Sequence, residues 1–159
     1  MKRLYFAYGS NMAAHQMAAR CPGAHCLGPA ELLGWRFFIN RRGTASIRPD
    51  PDRAVHGVVW RIGPEHRTTL DRYEGVRLGN YLRREIRFRL QHAQMRGFTY
   101  VGVHLKEGRA IRAYLDGVIL PAAREHGLPE HYRQELANWL PRRPVGPVKP
   151  RVLGRSWKP

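Results

Sequence analysis

Carboxylates are scarce in this sequence: 12 aspartates and glutamates stand against 28 lysines and arginines, which leaves a formal net charge of +16. So one-sided a surface attracts polyanions and small acidic molecules alike, and it bears on solubility and nonspecific contact more than on any one reaction. Cysteine is nearly absent. The two that occur, Cys21 and Cys26, crowd with His25 in "RCPGAHC", whereas a zinc site needs three or four ligands at workable spacing. No metal is expected. A disulfide closing that short loop is disfavoured in a reducing compartment, so two free thiols are expected. Long apolar runs are missing too: nowhere do about 18 apolar residues follow one another, and the stretch after Met1, Lys2 and Arg3 is too short for a signal peptide. The expectation is a cytoplasmic protein with no membrane association. Also missing are Gly-x-Gly-x-x-Gly, a P-loop and His-Glu-x-x-His, which removes the minimal parts of dinucleotide, NTP and zinc-protease chemistry. Ser10 lacks the glycine two residues later that a nucleophile elbow requires. The eight histidines are scattered among polar residues and read as surface or boundary side chains.

What is present fits one globular domain, with 43% hydrophobic and 25% charged residues. Residues 1–140 read as that domain. The remainder, "PRRPVGPVKPRVLGRSWKP", carries six basic residues, no acid and five prolines and reads as an extended tail over 141–159. In "YFAYGSNM" an apolar strand breaks directly into Gly9, Ser10 and Asn11. Gly9 permits backbone angles that other residues resist, Ser10 and Asn11 are good helix N-caps, and "MAAHQMAAR" reads as a helix. Strand, tight turn and helix N-terminus together aim backbone N–H groups at one spot, which suits a carboxylate, a phosphate or a polarised carbonyl oxygen. A plain β-to-α turn has the same pattern.

Farther on, "GWRFFINRRGTASIRPDP" reads as two short strands around Arg42-Gly43 and a proline-bounded loop. "VHGVVWRI" reads as a central strand buried on both faces. Pro64 at N1 and Gly75 bracket a short helix, with Leu70 and Tyr73 as its anchors. In "NYLRREIRFRL", Leu82, Ile86, Phe88 and Leu90 share one face, interrupted by Arg84, and Tyr81 falls on the polar face with Glu85. "QHAQMRG" reads as a hairpin turn and "FTYVGVHL" as a strand. A helical stripe from Ile111 through Tyr114, Leu115, Val118, Ile119 and Ala122 contains Pro121, where a kink or break is expected. A last helix starts with Pro129 at N1 and packs through Tyr132, Leu136 and Trp139. This order of elements argues for an α+β fold with antiparallel pairing.

Glu74 falls at the C-terminal end of the short helix beside Gly75, where the helix dipole disfavours a carboxylate and raises its pKa toward a range useful for proton transfer. A solvated helix-end glutamate is the plainer reading of the same position.

The pair "YFAYGSNM" and "LDRYEGVRLGNY" resembles the gamma-glutamylcyclotransferase family, and the likeness extends through "GTASIRP", "VHGVVWRI" and "YLDGVILPAAREHGLPEHY". What the resemblance implies is a compact mixed β-barrel flanked by helices and an intramolecular reaction. The substrate's α-amine attacks its own γ-carbonyl to give 5-oxoproline and a free amine, with no cofactor. Carried onto this chain, the resemblance makes Glu74 the general acid/base. It assigns the γ-glutamyl group to the segment Tyr5, Phe6, Ala7, Tyr8, Gly9 and Ser10 with Asn11 beside it, and adds Tyr81 and Tyr114 to the pocket. For Tyr114, core packing is an equal alternative. The family commonly has proline just before the Tyr114 position, whereas "GRAIRAYL" has Arg109 and Arg112, which would favour an acidic leaving amino acid or simply lie in solvent. Tyr-Gly-Ser-Asn departs from the patterns of the glutathione-directed and gamma-glutamylamine branches, so the implied partner is a small γ-glutamyl amino acid or dipeptide. The rival reading is a noncatalytic barrel that engages nucleic acid or another polyanion through its basic surface and tail. Monomer and homodimer are equally compatible with the sequence.

Overall fold

The computed structural model describes residues 1–142; the basic tail from 143 onward lies outside the described residues. Five strands close into one barrel: β1 (Arg3–Ala7), β2 (His25–Ile39), β3 (Ala45–Ile62), β4 (Tyr81–Leu90) and β5 (Ala93–Gly102), in the spatial order β1-β3-β2-β4-β5. All neighbours are antiparallel except β1 and β5, which run parallel and meet at Tyr5 and Phe98. That single parallel seam makes the barrel mixed, as expected. Closure leaves no free sheet edge to manage.

Alternation along each strand sorts the side chains. Phe6, Phe88, Val59 and Thr99 are buried at 2% exposure or less. Phe6 packs on Phe88 with ring centroids 5.7 Å apart, and Thr99 Oγ1 donates to the Phe6 carbonyl oxygen at 2.8 Å. The opposite face of β1 and β5 carries Tyr5, Phe98 and Tyr100, whose rings stack or meet edge-on at 5.4–5.7 Å. Both faces of this region are therefore packed, and the strand Val55 to Ile62 is central as read, pairing with β1 on one side and β2 on the other.

The expected proline-bounded loop at Pro49–Pro51 does not form. β3 runs unbroken through it, because Pro49 pairs opposite Trp35 beside a register shift at Leu33/Trp35, where a missing N–H is tolerated. What read as short separate strands is one long β2–β3 hairpin. The β4–β5 turn is also tighter than expected: only Gln91 and His92 turn, both with positive φ, and Ala93 already belongs to β5. In β4 the apolar face is buried at Ile86, Phe88 and Leu90, but Leu82 is exposed.

α1 (Ala14–Arg20) follows a 3-10 turn at Ser10–Met12; its cap is Ala13, and neither Ser10 nor Asn11 caps it through its side chain. α2 (Pro64–Tyr73) starts with Pro64 and is anchored by Leu70, while Tyr73, expected as a second anchor, is exposed. The predicted irregularity near Pro121 appears one turn earlier. α3 (Arg112–Tyr114) passes into a π-helical turn, Leu115–Ile119, before α4 (Leu120–Glu125). Proline's ring crowds the carbonyl four residues back, here that of Gly117, and a π turn widens the spiral at that residue. α5 (Glu130–Ala137) has Pro129 one position earlier than expected, at the N-cap, and buries Tyr132 and Leu136 as read. Among the described residues no helix is long and apolar enough to cross a membrane, and no cluster of three or more metal-ligating side chains occurs. Cys21 and Cys26 are free thiols.

Candidate active site

The end of β1, the end of α2 and the start of β4 meet over a cavity of about 200 Å³. Tyr5, Tyr8, Gly9, Ser10, Asn11, Glu74, Tyr81 and Tyr114 all line it. Residues 63 positions apart in sequence thus converge: Asn11 Nδ2 lies 3.4 Å from Glu74 Oε1 and 3.0 Å from Tyr5 Oη. Phe6 and Ala7 do not line the cavity; they are buried in the barrel wall beneath it.

Each wall has a local cause. Gly75, at φ 63°, ends α2 in the left-handed region, and a Cβ there would stand 2.6 Å from Asn80 Nδ2. The chain therefore turns back at once, leaving Glu74 as the C-cap with its carboxyl directed inward. Gly9 serves by close approach, since its φ is −112° and a Cβ would meet Tyr114 Oη at 3.2 Å. The Met12 and Ala13 N–H groups close the 3-10 turn onto the Gly9 and Ser10 carbonyl oxygens, and His126 Nε2 lies 2.9 Å from the Met12 carbonyl oxygen, tying that turn to the end of α4.

Tyrosine hydroxyls rim the cavity. Tyr8 Oη donates to the Tyr100 carbonyl oxygen at 2.6 Å, and Tyr81 Oη donates to that of Ala45 at 2.7 Å. The Ala45 N–H donates to Tyr114 Oη at 3.3 Å, so Tyr114 serves the cavity as well as the packing. Tyr100 Oη donates to Asp71 Oδ1 at 2.7 Å, and Asp71 in turn pairs with Arg83 at 3.2 Å. Burial pushes the Tyr5, Tyr8, Tyr81, Tyr100 and Tyr114 hydroxyls all above the ordinary tyrosine range, so they are neutral hydrogen-bonding groups near neutral pH.

Glu74 is the carboxyl that lines the cavity. Burial in this tyrosine-lined space pushes its carboxyl up to about 7, against a smaller opposing pull from Arg20. The upward direction is the one expected from sequence, and its main cause is desolvation. A carboxyl half-ionised near neutrality, within reach of a backbone turn, suits proton collection and return.

Five further members are not marked as site residues by the sequence. Arg20, Thr44, Ala45, Tyr73 and Tyr100 also line the cavity. Thr44, Ala45 and Tyr73 fall inside stretches that carry the family resemblance, Tyr73 reading there as a core anchor, whereas Arg20 and Tyr100 read locally as ordinary helix and strand residues. Conversely, Arg109 and Arg112 are elsewhere: their guanidiniums donate to the carbonyl oxygens of Asn138 and Pro141, at 2.8 and 3.0 Å. Arg109 borders a larger cavity, about 590 Å³, between the long hairpin and α5. There Arg36 pairs with Glu107 and Arg53 with Glu135, so those charges are already compensated. The smaller cavity is the candidate because a titratable acid and the strand-to-helix turn converge in it.

Comparison with known proteins bears on the family and the fold. A model of the AIG2-like family matches residues 54–136. Gamma-glutamylcyclotransferase of Mus musculus is 31% identical over 144 residues, covering 84% of this chain and 76% of the mouse protein. That of Homo sapiens is 29% identical over 160 residues, covering 94% and 85% respectively. A solved structure named gamma-glutamyl cyclotransferase superposes with a TM-score of 0.83 at 27% identity, across 94% of this chain and 95% of the other.

Proposed function

From the premise that this chain belongs to the AIG2-like gamma-glutamylcyclotransferase family, we propose that it cyclises a γ-glutamyl amino acid or dipeptide to 5-oxoproline with release of the free amine. The observation that carries this reading is Glu74, its carboxyl raised to about 7 in a cavity it shares with Gly9, Ser10 and Asn11.

In this reaction nucleophile and electrophile belong to one molecule. The protein's work is to fold the γ-glutamyl group so that its α-amine reaches the γ-carbonyl carbon; oriented internal attack can contribute roughly 7–11 kcal/mol. Ionised Glu74 takes a proton from the α-ammonium, freeing the lone pair. A carbon–nitrogen bond forms to the γ-carbonyl carbon, and its oxygen becomes an oxyanion beside the turn, where the Gly9 and Ser10 N–H groups are the donors proposed to receive it. Protonated Glu74 then returns the proton to the departing nitrogen as its bond to carbon breaks. As the oxyanion collapses back to the carbonyl and expels that nitrogen, the ring nitrogen gives up its remaining extra proton, which the same carboxyl passes to the released amine; the α-ammonium thus loses two protons on becoming the lactam N–H and the leaving nitrogen gains two on departing as an ammonium. Asn11 Nδ2 holds Glu74 Oε1 toward the reacting nitrogens, and the neutral tyrosines exclude water without competing as bases.

Incubating purified protein with a γ-glutamyl dipeptide and with its α-glutamyl isomer tests the proposal. Equimolar 5-oxoproline and free amino acid are expected from the γ-isomer and none from the α-isomer, which has no γ-amide to break. A panel of γ-glutamyl amino acids that yields no 5-oxoproline above the uncatalysed background would overturn the reading.

A further inference from the structure

Arg20, on the last turn of α1, contributes the cavity's only guanidinium among the residues that line it. Its Nη1 donates to Asn11 Oδ1 at 2.6 Å and lies 3.3 Å from Ser10 Oγ. Its planar head rests 4.3 Å from the centre of the Tyr73 ring, a cation–π stack that holds the side chain over the cavity mouth. Among the described residues it makes no ion pair with a carboxylate within 4.0 Å.

The consequence falls on Asn11. A carboxamide has one acceptor end and one donor end, and a guanidinium only donates. With Arg20 claiming Oδ1, Nδ2 has to face the other way, toward Tyr5 Oη and Glu74 Oε1. Were the amide flipped, its oxygen would confront the Glu74 carboxylate and its NH₂ would confront the guanidinium, two repulsions in place of two hydrogen bonds. Asn11 is 3% exposed, so water cannot substitute readily for either partner.

We propose that Arg20 is the positioning residue of this site: it fixes the Asn11 carboxamide so that Nδ2 faces the Glu74 carboxyl, and through that contact together with its own nearby charge it sets the placement and the proton affinity of the acid/base without touching it. The other titratable groups around Glu74 in the cavity are Tyr73 from α2, stacked on Arg20, and the hydroxyls of Tyr5 and Tyr8 from β1 and its following turn, Tyr81 from β4, Tyr100 from β5 and Tyr114 from α3, these last five neutral near pH 7. Asp71 is engaged by Tyr100 and Arg83. That leaves Arg20 as the charge that opposes the desolvation of Glu74.

The kinetic part of this proposal rests on the cyclotransferase reading; the titration part does not. Arg20→Met keeps apolar bulk against Tyr73 while removing charge and donors, and Arg20→Lys keeps the charge. The Glu74 carboxyl is followed by carbon-13 NMR against pH in each variant, assigned by its loss in Glu74→Gln, alongside the pH profile of kcat/KM for a γ-glutamyl dipeptide. The expected result is a midpoint moved upward by roughly one pH unit in Arg20→Met, with the acid limb of kcat/KM moving equally, and a much smaller movement in Arg20→Lys. Adding Asn11→Ala to Arg20→Met should cost little further turnover, since both break one chain of contacts. A folded Arg20→Met variant whose midpoint and acid limb coincide with wild type overturns the proposal, whatever its melting temperature. Should Arg20→Met not fold, Tyr73→Leu removes the stack instead and is expected to move the midpoint in the same direction; an unmoved midpoint there rejects the proposal as well. Wild-type protein that turns over no γ-glutamyl compound defeats the cyclotransferase reading alone, because the NMR titration still decides the role of Arg20.

Discussion

Glu74 carries opposite demands from chemistry and from folding. Its carboxyl, raised from 4.5 to about 7 by burial, is easier to protonate in the folded chain than in the unfolded one. Stability is therefore full below about pH 4.5, declines as pH rises and has lost its share once pH exceeds about 7, where the folded state must hold a desolvated charge. Glu74→Gln removes that penalty. It is expected to match wild type in thermal melts at about pH 4 and to exceed it at about pH 8, by up to about 3 kcal/mol at roughly 1.4 kcal/mol per pH unit; equal melting temperatures at both pH values would contradict the buried carboxyl. For turnover the sign reverses. In the proposed mechanism the ionised form is the base, so kcat/KM should fall about tenfold for each pH unit below 7, with the midpoint near the Glu74 value. Part of this residue was legible beforehand, since its place beside Gly75 and the resemblance both singled it out. The burial that shifts it was not, because desolvation depends on Tyr5, Tyr8 and Tyr81 arriving from β1, the turn after it and β4, which a local reading cannot bring together.

Among the elements, the end of α2 governs the site. Gly75 takes a left-handed conformation, and a Cβ there would stand 2.6 Å from the Asn80 side-chain nitrogen, which would have to shift. Gly75→Ala is expected to destabilise by about 1–2 kcal/mol through φ strain and that clash, and to lower kcat more than the stability loss explains, because Glu74 is displaced with the turn. Denaturant melts set beside kcat at a temperature where both proteins are folded check this; wild-type kcat would contradict it. The helices were largely visible from Pro64, Gly75 and Pro129, since proline and glycine act locally. The long hairpin was not. Pro49 and Pro51 announce a loop to any local reading, yet β3 continues because the partner strand shifts register opposite them, a property of β2 that β3's own residues do not encode. Tyr73 misled in the same way: its spacing from Leu70 suggests a buried stripe, but its partner is the Arg20 guanidinium.

At the scale of the whole molecule, closure of the barrel does two things. It packs both faces of β1 and β5, and it brings the turn after β1 against the end of α2. Phe6 lies at the centre of that packing, fully buried. Phe6→Ala is expected to cost about 3–5 kcal/mol and to reduce turnover only in step with the folded fraction, since Phe6 does not line the cavity; a specific loss of kcat in fully folded protein would return it to the site. The net charge of +16 belongs to this scale as well. Ending the chain after Arg142 is expected to leave kcat/KM for a γ-glutamyl dipeptide unchanged while weakening retention on heparin, a polyanion probe. A large fall in kcat/KM would tie the tail to the chemistry.

The most direct measurement is the amount of 5-oxoproline released from a γ-glutamyl dipeptide by wild type and by Glu74→Gln, both shown to be folded, at about pH 8. Wild type is expected to turn over, and the glutamine variant to be slower by about 10²–10⁴-fold. Equal rates in the two proteins would contradict the assignment of Glu74 as the acid/base.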